Sequence, residues 1–155
     1  MRKVLLTWDT TALVAATAKT IAEVPVPATA DLELCELIIG CDASAAGSMK
    51  IEFGTFTTTG TGTAVSAPGI YNSSDRTPAS RVTAAKISDT VEPSGFTTVI
   101  SGNAKWPILL VPLPMYFPFQ TPLVEGLTIP HSTNFGIRLT ASIACNTAGW
   151  ISWKE

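Results

Sequence analysis

The chain has 155 residues, a formal net charge of −2 and only 14% charged residues, with 46% apolar residues. This length predicts a single domain over residues 1–155, which can bury about 68–70% of its unfolded surface. No segment clusters Lys and Arg, so the composition excludes a basic nucleic-acid-binding face. Because roughly 25% of residues are charged in a usual soluble domain, the low charge indicates either burial against other subunits or a plain Thr-rich β-protein.

The first residues resemble the start of a signal peptide, but Thr7, Trp8 and Asp9 interrupt the apolar run too early. The most apolar region, residues 106–119, is too short for a membrane span and contains four prolines. We therefore expect no membrane partner. We expect the protein to stay in the cytoplasm where it is made, or to be released with something assembled there.

Short strands separated by Gly and Pro turns are the predicted elements of most of the chain. Residues 10–18 are rich in Ala, but Thr and Val among them favour coil over helix. Residues 67–79 predict a long polar loop. The predicted strands, the first of them a candidate arm within residues 1–11, cover residues 3–8, 20–26, 32–39, 48–59, 96–100 and 106–111, and residues 81–87 predict either a strand or a short helix.

The third strand should contain an irregularity. Glu33 and Glu36 are three residues apart, so strict alternation would place them on opposite faces. Glutamates on an otherwise apolar strand are expected to reach solvent on the same face. The spacing therefore predicts a β-bulge between them.

The clearest strand pattern lies near the C-terminus. Apolar residues alternate from Phe135 to Cys145, which predicts a strand with one buried face. Residues 146–149 favour a tight turn. Ile151 and Trp153 then share one face of a returning strand, so we expect a closing hairpin with Trp153 buried.

Eight to ten short strands without a long helix predict an all-β fold, an antiparallel β-sandwich. A jelly roll is the preferred topology, with an N-terminal arm and long loops. No internal repeat is present in the sequence.

No reactive constellation stands out. His131 is the only histidine and lies in a polar turn, and the sequence has no GxSxG elbow. Gly60 and Gly62 resemble the start of a phosphate-binding loop, but the third glycine and the Walker lysine are missing. We therefore expect no enzyme activity, no catalytic residue, no cofactor and no metal site.

Three cysteines, Cys35, Cys41 and Cys145, have no CxxC spacing. Cys35 and Cys145 fall in apolar strand patterns, which predicts buried, reduced thiols. Such thiols are typical of folding in a reducing compartment.

Three segments are candidates for contact with other chains: the arm, the polar loop and the Pro-rich apolar run over residues 107–122. Large apolar patches mark interfaces, and identical chains usually assemble with closed symmetry. We therefore expect a homo-oligomer, and we expect removal of residues 1–8 to weaken association while leaving the sandwich folded. The candidate interaction residues are Val4, Leu5, Leu6, Trp8, Tyr71, Asn72, Asp75, Arg76, Tyr116 and Phe117.

Several short motifs together resemble small virion proteins of tailed bacteriophages. They are Ala18-Lys19-Thr20, Gly60-Thr61-Gly62-Thr63-Ala64, Glu92-Pro93, Trp106 before the Pro-rich run, Asn134-Phe135-Gly136-Ile137-Arg138 and Trp153-Lys154-Glu155. The resemblance implies a jelly-roll-like sandwich that serves as a structural protein of the virion. Within that group it implies a capsid decoration (cement) protein, often a trimer, which binds the major capsid protein on the outer head surface. No catalytic residues belong to such a family.

Two other classes share the expected sandwich. One is a tail- or fibre-associated module that binds carbohydrate or a receptor through exposed aromatic residues. The other is a small cupin-like enzyme. Cupins need clustered histidine ligands, and a chain with one histidine is poorly equipped for that chemistry.

Overall fold

The computed structural model describes residues 3–65, 68–70, 80–102, 104–120 and 127–155. These residues form strands, turns and connecting segments and contain no helix, so the all-β prediction is confirmed. Over the same residues, no helix is long and apolar enough to cross a membrane.

Six long strands and eight short ones make up the described residues. The long strands are β1 (Lys3–Leu13), β2 (Ala18–Pro25), β3 (Leu32–Cys41), β4 (Gly47–Phe56), β13 (Asn134–Ala141) and β14 (Cys145–Lys154). The short strands are β5 (Thr61–Val65), β6 (Gly69–Ile70), β7 (Ala85–Val91), β8 (Val99–Ser101), β9 (Ala104–Lys105), β10 (Ile108–Leu113), β11 (Met115–Gln120) and β12 (Leu127–Ile129).

Two six-stranded antiparallel sheets pack together. Sheet I has the order β11-β3-β14-β1-β6, with β12 also paired to β3, and sheet II has the order β10-β4-β13-β2-β7-β5. The first four long strands alternate between the sheets, since β1 and β3 lie in sheet I while β2 and β4 lie in sheet II; β13 then lies in sheet II and β14 in sheet I. This arrangement is a β-sandwich, and the jelly-roll connectivity stays a prediction.

The core lies between the sheets. Phe135, Ile137 and Leu139 are fully buried, as their alternation predicts. Phe135 meets the Trp106 ring edge-on with ring centroids 5.4 Å apart, and the Phe53 ring lies 6.4 Å away. Phe135 of β13 thus packs against one aromatic ring from β4 and another from the segment that precedes β10.

The predicted bulge is present in β3. Ser152 of β14 is opposite Glu36, and the next residue, Trp153, is opposite Leu34, so Cys35 is the extra residue. The carboxylate of Glu36 accepts a hydrogen bond from Lys3 Nζ at 2.5 Å. Both glutamates find lysine partners, because Glu33 pairs with Lys154 at 3.1 Å.

The predicted closing hairpin is wrong. β13 pairs with β2 and β4, whereas β14 pairs with β1 and β3 in the other sheet. Residues 146–149 lie within β14, because Cys145 and Thr147 continue the buried face that ends at Trp153. Gly149 is used for close packing, since a Cβ there would come within 2.7 Å of Trp8 Cζ2.

The coil predicted for residues 10–18 is also wrong at both ends. β1 runs to Leu13 and β2 starts at Ala18, which leaves a short turn between them. Ala16 in that turn has a φ of 56°. The Thr and Val residues that disfavour helix here are good strand formers.

Candidate interaction surface

The segment predicted as a free arm is an integral strand of sheet I. β1 pairs with β14 from Lys3 opposite Lys154 to Leu13 opposite Cys145. Val4, Leu6 and Trp8 are 0%, 1% and 3% exposed, and Leu5 is half-buried. The prediction of a free arm is therefore wrong. Alternate side chains of β1 fill the core, so Val4, Leu6 and Trp8 are not available to a partner molecule.

Four further candidates, Tyr71, Asn72, Asp75 and Arg76, lie outside the described residues, and their role stays a prediction. The chain enters this segment from β6, which pairs with β1 at Val4 and Leu5. It returns at residues 80–81, where Ser80 Oγ and Arg81 N donate to the Glu155 carboxylate at 2.5 and 3.0 Å. The described residues on either side of this segment, β6 and residues 80–81, thus lie next to β1 and to the end of β14.

Seven large apolar side chains are exposed among the described residues, and three of them lie on β10 and β11, which follow each other in the chain. Ile108, Leu110 and Tyr116 are 49%, 73% and 70% exposed. β10 pairs with β4 and β11 with β3. Among the described strands, none covers the other edge of β10 or β11. We call Ile108, Leu110 and Tyr116 the apolar edge.

Alternation explains why these side chains face outward. Leu109 and Val111 lie opposite the buried Ile51 and Met49 of β4 and pack on the core. The intervening residues of β10 must then point away from the sandwich. Because β10 is apolar on both faces, its outer face leaves hydrophobic surface in solvent.

The aromatic residues Trp106, Tyr116 and Phe117 are divided between core and surface. Trp106 is buried, and Phe117 is half-buried against the core. Tyr116 alone of these three projects into solvent. Of the predicted interaction residues in the described part of the chain, Tyr116 is therefore the most accessible, and Phe117 offers only part of its ring.

A cluster of charged side chains borders the apolar edge on sheet II. Ile108 lies opposite Glu52, and Leu110 lies opposite Lys50. The Glu52 carboxylate pairs with Lys50 Nζ at 3.3 Å and with Arg138 Nε at 3.2 Å. The Arg138 guanidinium lies 4.0 Å from the centroid of the Phe96 ring. Apolar surface and paired charges therefore lie side by side.

A second cluster of polar side chains lies beneath the Thr/Gly tract, residues 57–63, whose sequence favours a loop or the rim of a sheet and whose last three residues begin the edge strand β5. Glu23 Oε1 accepts a hydrogen bond from Gly60 N at 2.6 Å, and Lys86 Nζ donates to Gly60 O at 2.6 Å. Asp89 is 2% exposed, and neither of its carboxyl oxygens accepts a hydrogen bond from the described residues. Gly62 is needed because a Cβ there would collide with Asp89.

The pKa of Asp89 is raised to about 8, by burial most strongly and also by hydrogen bonding to Glu23 and by the negative charges of Glu23 and Glu92. A hydrogen bond between two carboxyl groups needs a proton on one of them. The raised pKa indicates that Asp89 carries this proton at neutral pH. The sequence contains only a weak signal of this pair. The glycines of the Thr/Gly tract indicate that another part of the chain packs closely against the backbone there, but not which residues do so.

His131 pairs with Asp31 in an exposed turn. Asp31 Oδ1 lies 2.8 Å from His131 Nδ1 and accepts a hydrogen bond from His131 N at 2.7 Å. These bonds lower the pKa of Asp31, the backbone bond most strongly. Both side chains are more than half exposed. The pair ties a turn together, as aspartate commonly does.

The cysteine prediction is confirmed for Cys145, which is buried, whereas Cys35 is half-buried at the bulge. Burial raises the pKa of Cys35. In the part of the chain that the structure describes, no group of three or more His, Cys, Asp or Glu side chains could hold a metal ion.

Comparison with protein-family models, with curated proteins and with solved structures finds no match to this chain. The function is therefore inferred from the geometry above and from the motifs of the sequence. The feature most suited to binding another macromolecule is the apolar edge.

Proposed function

We propose that this chain is a non-enzymatic structural protein of a tailed-bacteriophage particle. It is made in the host cytoplasm and acts as a capsid decoration (cement) protein that binds the major capsid protein on the outer head surface. It also associates with itself, in the trimers that the sequence resemblance implies. The jelly-roll topology belongs to the same proposal.

The observation that carries the proposal is the apolar edge. Ile108 and Leu110 on β10 and Tyr116 on β11 expose large apolar or aromatic side chains. The two strands are edge strands of different sheets and follow each other in the chain. Burying such residues against another protein removes apolar surface from water, at roughly 25 cal/mol per Å². Aromatic residues also contribute strongly to protein interfaces.

The composition supports the same function. Only 14% of the residues are charged, so few ionic groups must lose water when a subunit packs against its neighbours. The paired charges of Lys50, Glu52 and Arg138 beside the edge fit a polar rim around an apolar centre. A cement protein needs this kind of surface because it acts only by holding other subunits.

The experiment compares Leu110→Asp with Val14→Asp. Val14 is 66% exposed and lies in the β1–β2 turn, outside the apolar edge, so it is a matched control. Light scattering should show an oligomer for the unchanged protein and for Val14→Asp. Leu110→Asp should weaken association about tenfold or more, because it places an unpaired carboxylate in the interface. Binding to phage heads should likewise be retained by Val14→Asp and weakened by Leu110→Asp.

A monomer at micromolar concentration would contradict the self-association. A dimer would contradict the trimer alone. Imaging of intact particles tests the location directly, and finding this chain on the tail, or on no particle, would contradict the decoration role.

Tyr116 favours a second candidate function, a tail- or fibre-associated module that binds carbohydrate or a receptor. An aromatic ring that is 70% exposed can stack on a sugar face. Glycan-array binding that is lost in Tyr116→Ala, without binding to heads, would favour this alternative. Head binding without glycan binding favours the decoration protein.

A further inference from the structure

Two cysteines from distant parts of the chain meet at one end of sheet I. Cys41 is the last residue of β3, and Cys145 is the first residue of β14. Their Sγ atoms are 2.7 Å apart. This separation is shorter than the contact distance of two non-bonded sulfur atoms and somewhat longer than an S–S bond, which is about 2.03–2.05 Å.

The residues that follow each cysteine hold the pair together. Asp42 N donates to Asn146 O at 3.1 Å. In return, Asn146 N and Nδ2 donate to the Asp42 carboxylate at 2.6 and 3.0 Å. Thr147 Oγ1 donates to Gly40 O at 3.0 Å, one residue before Cys41. Four hydrogen bonds therefore fix the ends of β3 and β14 relative to each other.

We propose that Cys41 and Cys145 form an oxidation site: a dithiol of the folded chain that closes to an intramolecular disulfide when it meets an oxidised low-molecular-weight disulfide such as oxidised glutathione. Cys35 is on the same strand as Cys41 but lies at the bulge near the other end of β3. It therefore takes no part in the reaction.

The proposed reaction has two thiol–disulfide exchanges. The Cys41 thiolate attacks one sulfur of the oxidant, whose S–S bond breaks, and one small thiolate leaves. The Cys145 thiolate then attacks Cys41 Sγ of this mixed disulfide and displaces the second small thiolate. The two cysteines lose two protons and two electrons, and the oxidant leaves as two thiols.

Accessibility sets the order of these steps. Cys41 is half-buried and lies at a shallow opening beside Thr10 and Asp42, whereas Cys145 is buried. Burial most strongly, and the hydrogen bond to Cys41 next, raise the pKa of Cys145 to about 12. Because a thiolate is the nucleophile, Cys145 suits the second, intramolecular step, and closure should become faster as the pH rises.

The disulfide would connect residues that are 104 positions apart. A loop this long restricts the unfolded chain strongly. The oxidised form should therefore melt roughly 10 °C above the reduced form. This inference does not depend on the proposed function, since it concerns only the folded chain and its oxidant.

The experiment treats the full-length, reduced protein with oxidised glutathione at pH 8 under native conditions. Thiols are then counted by reaction with Ellman's reagent in denaturant. We expect the count to fall from three to one, and peptide mass mapping should find Cys41 joined to Cys145. Cys35→Ser should still lose two thiols. Cys41→Ser and Cys145→Ser should form no intramolecular disulfide.

Three results would overturn the proposal: a thiol count that stays at three, glutathione adducts without an internal cross-link, or a cross-link that contains Cys35. The measurement on the unchanged protein and on Cys35→Ser is decisive even where a Cys41 or Cys145 variant folds poorly. Treatment of the oxidised protein with a reductant should restore the thiol count and the lower melting temperature.

Discussion

Strands β1 and β10 have similarly apolar sequences but differ in what their side chains contact. β1 lies inside sheet I between β14 and β6, and its alternate residues Val4, Leu6 and Trp8 fill the core. β10 lies at the edge of sheet II and pairs only with β4 among the described strands. Its outer residues Ile108 and Leu110 remain in solvent.

This difference shows that the position of a strand in its sheet decides whether its apolar side chains are buried or exposed. On β1, Leu5 and Thr7 alternate with the buried residues, so one face of the strand carries most of the hydrophobic surface. On β10, both faces are apolar, and only one of them meets the core. An apolar residue on the second face is not needed for packing within this chain, and patches of such residues are typical of interfaces.

Removal of residues 1–8 should have the largest effect. It deletes Val4, Leu6 and Trp8 from the core and leaves one edge of β14 without its partner. We expect loss of cooperative unfolding, measured by circular dichroism in a denaturant titration. A shortened chain with a normal unfolding transition would show that β1 is dispensable, as expected for an arm.

Trp153→Ala tests the strand that β1 covers. Trp153 is fully buried opposite Val4 and Leu34, so its truncation should lower the free energy of unfolding by about 3–5 kcal/mol. Trp150→Ala is the control, because Trp150 lies on the same strand but is only half-buried. Chemical denaturation measures both variants, and an unchanged melting temperature for Trp153→Ala would place that ring outside the core.

Leu6→Ala and Leu110→Ala make the same chemical change on the two contrasted strands. Leu6→Ala should cost about 2–5 kcal/mol because it leaves a cavity. In protein diluted below the concentration at which it associates, Leu110→Ala should change stability by about 0.5 kcal/mol or less, since the side chain is exposed in the single chain. Denaturant titration of both proteins is the measurement. Equal losses would mean that Leu110 is covered in solution, for example by a second subunit.

An effect of pH on stability is also expected, and it concerns a buried polar residue. The pKa of Asp89 rises from 3.8 to about 8 on folding, so the folded chain holds a proton that the unfolded chain has lost between these values. Stability should therefore fall as pH rises through this window, by at most about 1.4 kcal/mol per pH unit, and level off above it.

Asp89→Asn should flatten this dependence, because the amide is neutral and can donate a hydrogen bond to Glu23. Melting temperatures between pH 5 and pH 9 compare the two proteins. The lowered pKa values of Asp31 and Asp42 act in the opposite sense, but only at lower pH. Identical pH profiles for the two proteins would exclude a proton on Asp89 at neutral pH.

The sequence by itself determined the fold class and the buried faces of several strands. The alternation from Phe135 to Ala141 predicts which side chains enter the core, because successive residues of a strand point to opposite faces. The bulge at Cys35 follows from the spacing of Glu33 and Glu36 for the same reason. These features depend only on residues that are close together in the chain.

Only the tertiary structure decided which strands become neighbours. Backbone hydrogen bonds are alike for every partner strand, so the sequence does not show that β13 and β14 enter different sheets or that β1 covers β14. The same holds for the Glu23–Asp89 pair and for Cys41 beside Cys145, whose members are distant in the chain. Each pair exists because one sheet places two strands that are distant in the chain side by side, and this depends on packing rather than on local pattern.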